Sequence, residues 1–280
     1  MAKSYILIFL LGLLNLTSAL GQSPRSLLLL HTSDTHSCVE PISLNFSDTA
    51  QAGKAGYVRR ASMLEELRRK HHDMLVLDCG DFSPGSVYYN LFQGEVEVLL
   101  MNRMRYDACC IGNHEFDSGL ENLAHLIRMA DFPVVCCNYD FRGTPCQGLV
   151  KPYCIIERAG VRVGILGVSP KLSGLVAKKC YGKTRYLDPV KCAQPIVDRL
   201  RNQEHCDVVV CLSHLGWLGA KDGDEAFIQA TEGIDVVLGG HSHTYFDAAR
   251  TVKNRAGRDV LVSHMGKNGR YVGLMELEVE

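Results

Sequence analysis

Leu27-Leu28-Leu29-Leu30-His31-Thr32-Ser33-Asp34-Thr35-His36 sets four consecutive apolar residues against a polar cluster that ends in an Asp-x-His pair. A short unbroken apolar run reads as a strand buried on both faces, and the polar residues then fall at its carboxyl end. In α/β sheets that end is where sites form. The arrangement recurs. Residues 74–77 run into Asp78-Cys79-Gly80-Asp81, and a run ending at Ile111 leads into Gly112-Asn113-His114-Glu115-Phe116-Asp117. Residues 208–212 precede Ser213-His214, and 236–238 precede Gly239-Gly240-His241-Ser242-His243.

Residues 134–137, 161–168 and 260–262 are further β-rich runs. Between the runs, Tyr57, Ala61, Leu64 and Leu67, then Leu120, Leu123, Ile127 and Ala130, then Val190, Ala193, Val197 and Leu200 keep the spacing of one helix face. Strands alternating with helices predict a layered α/β domain. The segment 271–280, with Val272, Leu274, Leu277 and Val279 apolar, alternates as an edge or hairpin strand does. No Pro/Ser/Gly-rich linker and no repeat interrupts the chain, so one domain is expected over 25–280.

Of the 280 residues, 46% are hydrophobic and 22% charged, a balance that supports a globular core and excludes disorder. Thirty Lys and Arg against 31 Asp and Glu leave a net charge of -1, so neither nucleic acid nor an anionic membrane is expected as a partner. An apolar run over 6–14 follows Lys3, and Ala19-Leu20-Gly21 offers the small residues of a signal-peptidase site before Gln22. Residues 1–21 therefore read as a signal peptide, and the protein as exported, periplasmic or extracellular. That run is shorter than the roughly 20 apolar residues of a membrane span, and nothing after residue 30 is long and apolar enough to make one.

Export would ordinarily turn twelve cysteines toward disulfides. Cys79, Cys109, Cys110, Cys136, Cys137 and Cys211 instead sit in or beside strand-like runs, where a thiol acts as a small hydrophobe. Cys146, Cys154, Cys180 and Cys192 lie in loop-like sequence and leave room for a bridge.

His36, His114, His214, His241 and His243 fall in the five turns together with Asp34, Asp81 and Asn113. A mixed oxygen and imidazole set suits borderline divalent cations such as Mn²⁺, Fe²⁺ and Zn²⁺. With no thiolate among them, an open catalytic site is expected rather than a closed structural zinc cage. Gly80, Gly112, Gly239 and Gly240 allow tight turns that aim ligands inward. Alone, an Asp-x-His pair is more often an ordinary turn, and His214 more often a core histidine. Five such clusters in succession behind strands outweigh that reading.

These residues carry a resemblance. In chain order, Asp34-Thr35-His36, Gly80-Asp81, Gly112-Asn113-His114-Glu115, His214 and Gly240-His241-Ser242-His243 are similar to the D-x-H, G-D, G-N-H-[DE], H and G-H-x-H blocks of the metallophosphoesterase (calcineurin-like) superfamily. Residues 31–36, 112–117 and 239–244 resemble its secreted 5′-nucleotidase and UDP-sugar hydrolase branch, and 80–86 resembles that branch's G-D-x-x-x-G-[ST] loop. The resemblance spans nearly all of 27–280 and implies an α/β fold of metallophosphoesterase type, a layered β-sandwich flanked by helices. It implies two divalent metal ions (Mn, Zn, Fe or Mg), with Asp34, His36, Asp81 and His243 around one, Asp81, Asn113, His214 and His241 around the other, and Asp81 bridging. Water between two such ions would supply hydroxide near neutral pH, so the implied nucleophile is solvent. His114 would stabilise the transferring phosphoryl group and protonate the leaving alkoxide, with Asp117 orienting its ring.

The implied activity is release of phosphate from nucleoside 5′-monophosphates or related phosphomonoesters. Hydrolysis of 2′,3′-cyclic nucleotides or UDP-sugars is the rival reaction, and a non-catalytic metal-binding interaction protein the rival of another class. Members of the branch carry a second domain whose aromatics stack on the base and whose arginines bind phosphate. Here 273–279 resembles the final strand of the catalytic domain. A separately encoded substrate-binding domain, phosphate chemistry without that clamp, and a sequence ending at a domain boundary are the alternatives.

The remaining basic and imidazole residues take plainer readings. His71 and His72 suit a solvated helix end, His125 and His205 helix or loop positions, and His31 the core or a support behind the site. His264 follows a strand and is left open. Arg59-Arg60 and Arg68-Arg69-Lys70 are expected on a solvated helix face.

Overall fold

The computed structural model describes residues 25–219 and 223–279, so the expected signal peptide lies outside the described residues. The leucine run forms β1 (Arg25–Thr32), paired in parallel with β2 (Leu75–Asp78), which β3 (Ala108–Cys110) and β4 (Val134–Val135) extend in the same sense. On the other side of β1, β13 (Gly273–Val279) closes this sheet as an antiparallel edge. A second sheet runs β11 (Arg250–Lys253), β12 (Asp259–His264), β10 (Val236–Gly239), β9 (Val208–Ser213), β7 (Val161–Val168), β6 (Tyr153–Arg158). Its four middle strands are parallel, and β11 and β6 are antiparallel edges. β5 (Tyr139–Asp140) and β8 (Arg185–Tyr186) make a separate ribbon.

Among the described residues, seven α-helices accompany the sheets: α1 (Tyr57–Lys70), α2 (Val87–Phe92), α3 (Glu95–Arg103), α4 (Gly119–Met129), α5 (Lys178–Tyr181), α6 (Pro189–Asn202) and α7 (Gly223–Ala230). Parallel strands need crossovers that cover both faces, which is why their sequences are continuously apolar rather than alternating. Leu27, Leu29, Leu75 and Leu77 on one sheet meet Ile165, Val210, Leu212 and Leu238 on the other, forming the middle of the sandwich. Their neighbours of opposite parity face outward: Leu30 and Val76 pack under α1, α3 and α4, and Val209, Cys211 and Val237 under α6 and α7. The result is the expected α/β sandwich flanked by helices.

The structure departs from the sequence reading in detail. Strand 134–137 is only two residues long, and β6, α3 and α7 have no counterpart in that reading. β13 is the expected edge strand, but Met275, Leu277 and Val279 face inward while Leu274 is exposed. All twelve cysteines are free thiols, so the bridge left open for Cys146, Cys154, Cys180 and Cys192 is absent. The basic stretch on α1 is not uniformly solvated. Arg60 lies one turn before Leu64 and one after Tyr57, on the stripe that faces the sheet, and is buried. Arg68 donates to the carbonyls of Met104 and Arg105 at 2.6 and 2.7 Å, tying α1 to the end of α3.

Candidate metal centre

The five expected turns follow the carboxyl ends of β1, β2, β3, β9 and β10, and their side chains converge at one end of the sandwich. Ligand-type atoms of Asp34, His36 and His243 lie within 4.8 Å of one another, as do those of Asp81, His214 and His241. A third such group, His36, Asp81 and His114, links the two. Asn113 is buried beside them at the end of β3, and His114 Nδ1 lies 2.7 Å from Asp117 Oδ2. Asp34, His36, Asp81, His114, His214, His241 and His243 are therefore close neighbours, with Asp117 beside His114.

The backbone under these side chains is unusual. Asp34, His36, Asp81, His241 and His243 all have left-handed φ, between 44° and 71°. Asp and His tolerate that region better than most side chains, yet each such residue still costs on the order of 1–3 kcal/mol. The strands below hold them there, and hydrogen bonds fix the carboxylates. His241 N–H donates to Asp34 Oδ1 at 2.9 Å, and His114 N–H to Asp81 Oδ1 at 2.9 Å. Gly112 and Gly240 are required by close approach: a Cβ on Gly112 would overlap Asp81 Oδ1, and one on Gly240 would press on Asp34 Oδ2 and His214 Nδ1.

Burial shapes the charge states of the metal-free chain. It lowers His36 and His241 to about 4 each and holds His243 below its ordinary value, so these rings are neutral at pH 7 and keep a lone pair for a cation. Burial raises Asp34 to about 7 against the pull of His214. Asp81 is also buried, but His214 beside it holds its carboxyl below the usual range, and the same contact raises His214 to about 10 despite burial. His114 is raised to about 9, chiefly by its hydrogen bond with Asp117.

These features fit a divalent cation. His214 Nε2 approaches Asp81 Oδ2 to 2.9 Å but has no hydrogen-bond partner, and Asn113 Oδ1 is likewise buried without one. His214 Nδ1 is occupied by the Cys79 carbonyl at 2.7 Å, which leaves Nε2 as the ligating nitrogen. His36 Nε2 and His243 Nε2 face each other at 2.9 Å, as two ligands on adjacent positions of one ion would. Two buried carboxylates with four neutral or proton-sharing rings form a donor set for borderline metals.

Two supports are absent from the sequence reading. Glu115 is buried and accepts from the N–H of Asp81 at 2.9 Å and of Gly112 at 2.7 Å through Oε2, and from Ser83 N–H and Oγ at 3.3 Å through Oε1. It stitches the β2 and β3 turns together, although burial raises its carboxyl to about 8. Behind His214, Asp224 on α7 accepts from Ser213 Oγ and lies 2.7 Å from His264 Nε2. That places the undecided His264 in a buried brace, and His31, 3.0 Å from Ser263 Oγ, in the core.

Comparison with known proteins agrees with this geometry. The calcineurin-like phosphoesterase family matches residues 27–245. A snake venom 5′-nucleotidase from Crotalus adamanteus is 32% identical over 90% of this chain and 45% of its own length, and a Homo sapiens 5′-nucleotidase is 30% identical over 91% and 46%. The crystal structure of a 5′-nucleotidase precursor from Thermus thermophilus superposes with a TM-score of 0.82 at 33% identity, covering 91% of this chain and 53% of that one. The chain thus spans about half the length of the curated relatives it matches. With the family match covering residues 27–245, most of the chain, the protein belongs to the calcineurin-like phosphoesterase family.

Proposed function

We propose that the protein is an exported, metal-dependent phosphohydrolase that releases phosphate from nucleoside 5′-monophosphates or related phosphomonoesters. The observation that supports this reading is the closeness of two oxygen-and-imidazole groups, Asp34, His36 and His243 in one and Asp81, His214 and His241 in the other, with Asp81 also grouped with His36 and His114. Asp34, His36, Asp81 and His243 would hold one cation, and Asp81, Asn113, His214 and His241 the other. When bound, two divalent cations supply Lewis-acid charge to phosphoryl oxygens and make water a stronger acid near neutral pH. The apolar run behind Lys3 supports export, and the 5′-nucleotidases among the relatives support the nucleotide substrate.

The chain's own groups do the rest. Asp34 and Asp81, oriented by the hydrogen bonds they accept from the His241 and His114 amides, would supply the negative charge that holds the cations. Asp117 holds the His114 ring and keeps it protonated at neutral pH, so Nε2 is free to donate to a phosphoryl oxygen and to pass its proton to the leaving alkoxide. Glu115 keeps the turns bearing Asp81 and Asn113 in register. Hydrolysis by metal-loaded protein tests the reading, measured as phosphate released from AMP and an aryl phosphate, as UMP formed from UDP-glucose and as 2′- or 3′-AMP formed from 2′,3′-cyclic AMP. AMP turnover is expected to lead. Aryl phosphate turnover with weak AMP turnover would place nucleotide selectivity outside this chain, and no turnover of any of the four would refute the reading.

A further inference from the structure

We propose that the protein has a second anion site, for a phosphate-class oxyanion, in the cavity between α1 and the 269–272 segment. The cavity measures about 340 Å³, within the lower range of small-ligand pockets. Lys54, Arg59, Arg60 and Arg270 line it, with Tyr271, and among the described residues no carboxylate and none of the candidate metal ligands does.

Arg60 is the anchor. It is only 4% exposed, yet its Nε and Nη2 have no hydrogen-bond partner among the described residues. Nη1 reaches the Tyr106 hydroxyl at 3.4 Å, and the guanidinium lies 4.4 Å from the Tyr57 ring centroid, both neutral groups. Asp78 attracts it only from beyond ion-pair distance. A buried guanidinium with two unmet nitrogens is strongly disfavoured unless something answers it. The Nη2 lies against Gly269 in the cavity wall, where a Cβ would overlap it.

Among the described residues, the other three cations have neutral partners only. Lys54 Nζ donates to the Tyr271 hydroxyl at 3.2 Å, Arg59 Nη1 to the Gly53 carbonyl, and Arg270 Nε to the Lys267 carbonyl at 3.0 Å. Four like charges around one cavity repel, and a single oxyanion relieves that repulsion and sets a negative charge against the Arg60 guanidinium. Guanidinium forks match phosphate oxygens, so a phosphate group suits this lining better than a halide.

Phosphate titration calorimetry on wild-type protein, Asp81→Asn, Lys54→Gln/Arg270→Gln and Arg60→Met tests the site. Asp81→Asn removes the metal centre, so phosphate that it still binds sits elsewhere. The expected result is one phosphate that Asp81→Asn still binds, present in wild type beside the phosphate at the metal centre, and weakened about tenfold or more by Lys54→Gln/Arg270→Gln and by Arg60→Met. The double variant alters only partly exposed cavity-lining groups and is expected to keep wild-type turnover. A non-hydrolysable phosphonate ester in a parallel titration separates the sources: tighter binding than inorganic phosphate assigns an esterified ligand, weaker binding the free anion. Phosphate binding that vanishes with Asp81→Asn, or that Lys54→Gln/Arg270→Gln leaves unchanged, overturns the proposal.

Discussion

Glu115→Gln is a test of how the site is held. One carboxylate takes four donors from two turns: the Asp81 and Gly112 amides on Oε2, and the Ser83 amide and hydroxyl on Oε1. A glutamine offers one acceptor oxygen and an NH₂ group that accepts nothing. Its least costly orientation keeps the oxygen on Asp81 and Gly112, lets the Ser83 hydroxyl rotate to accept, and leaves the Ser83 amide facing a donor. One buried N–H without an acceptor costs about 1–3 kcal/mol. Removing a buried carboxyl whose ionisation is already disfavoured offsets part of that, so the loss of global stability is expected at the low end. The sharper effect falls on Asp81, whose backbone has a left-handed φ of 57° and depends on this contact. Metal affinity should fall by about 10- to 100-fold, as for other groups that orient ligands. Chelator competition on wild type and variant, with urea unfolding of both, reads the two quantities. Wild-type metal affinity together with wild-type stability would show that Glu115 does not hold the Asp81 turn.

Other perturbations give separable outcomes. Asp81→Asn should remove metal and phosphate release together, whereas His114→Ala should retain metal and lower kcat by roughly 10² to 10⁴-fold; near-normal turnover in the latter would remove its assigned role. Gly112→Ala should displace Asp81 Oδ1, which lies where the new methyl must go, and lower metal affinity with little change in the core; an unchanged metal isotherm would contradict that. His31, buried and lowered to about 3 by burial, stays neutral in the fold while the unfolded chain protonates near 6.5. The unfolded state then binds the extra proton, so this contribution is present above about 6.5 and is lost as pH falls toward 3. Between pH 7.5 and 5 it amounts to roughly 2 kcal/mol, and His31→Gln should shrink the acid-induced drop in urea stability by that amount. An equal drop in both proteins would show that His31 does not carry it.

The sandwich and the cleft were legible because the fold and site use the same local signal. Each ligand-bearing turn follows a run such as 27–30 or 208–212 that is apolar on both faces, so the strand and its site end are read together. Edge strands lack that signal. Tyr153–Arg158 is only half-buried and reads as mixed sequence, and Leu274 breaks the expected phase of the last strand because one face of β13 meets solvent.

Glu115 stood inside the matched motif, but its part depends on Asp81, Gly112 and Ser83 amides that only the packed turns bring together. The Ser213, Asp224 and His264 brace joins β9, α7 and β12 and has no local pattern. Arg60 did have one. Its spacing from Tyr57, Ala61 and Leu64 puts it on the apolar stripe of α1, and residue type alone argued for solvent.

The central claim is that one cleft uses two cations to hydrolyse a phosphate ester. Titrating metal-free protein with Mn²⁺ or Zn²⁺, and measuring bound metal and phosphate release from AMP on the same samples, tests it most directly. A plateau at two cations per chain is expected, with activity completed only as the second binds. Full activity with one cation or none, or two bound cations with no release from AMP or an aryl phosphate, would contradict it.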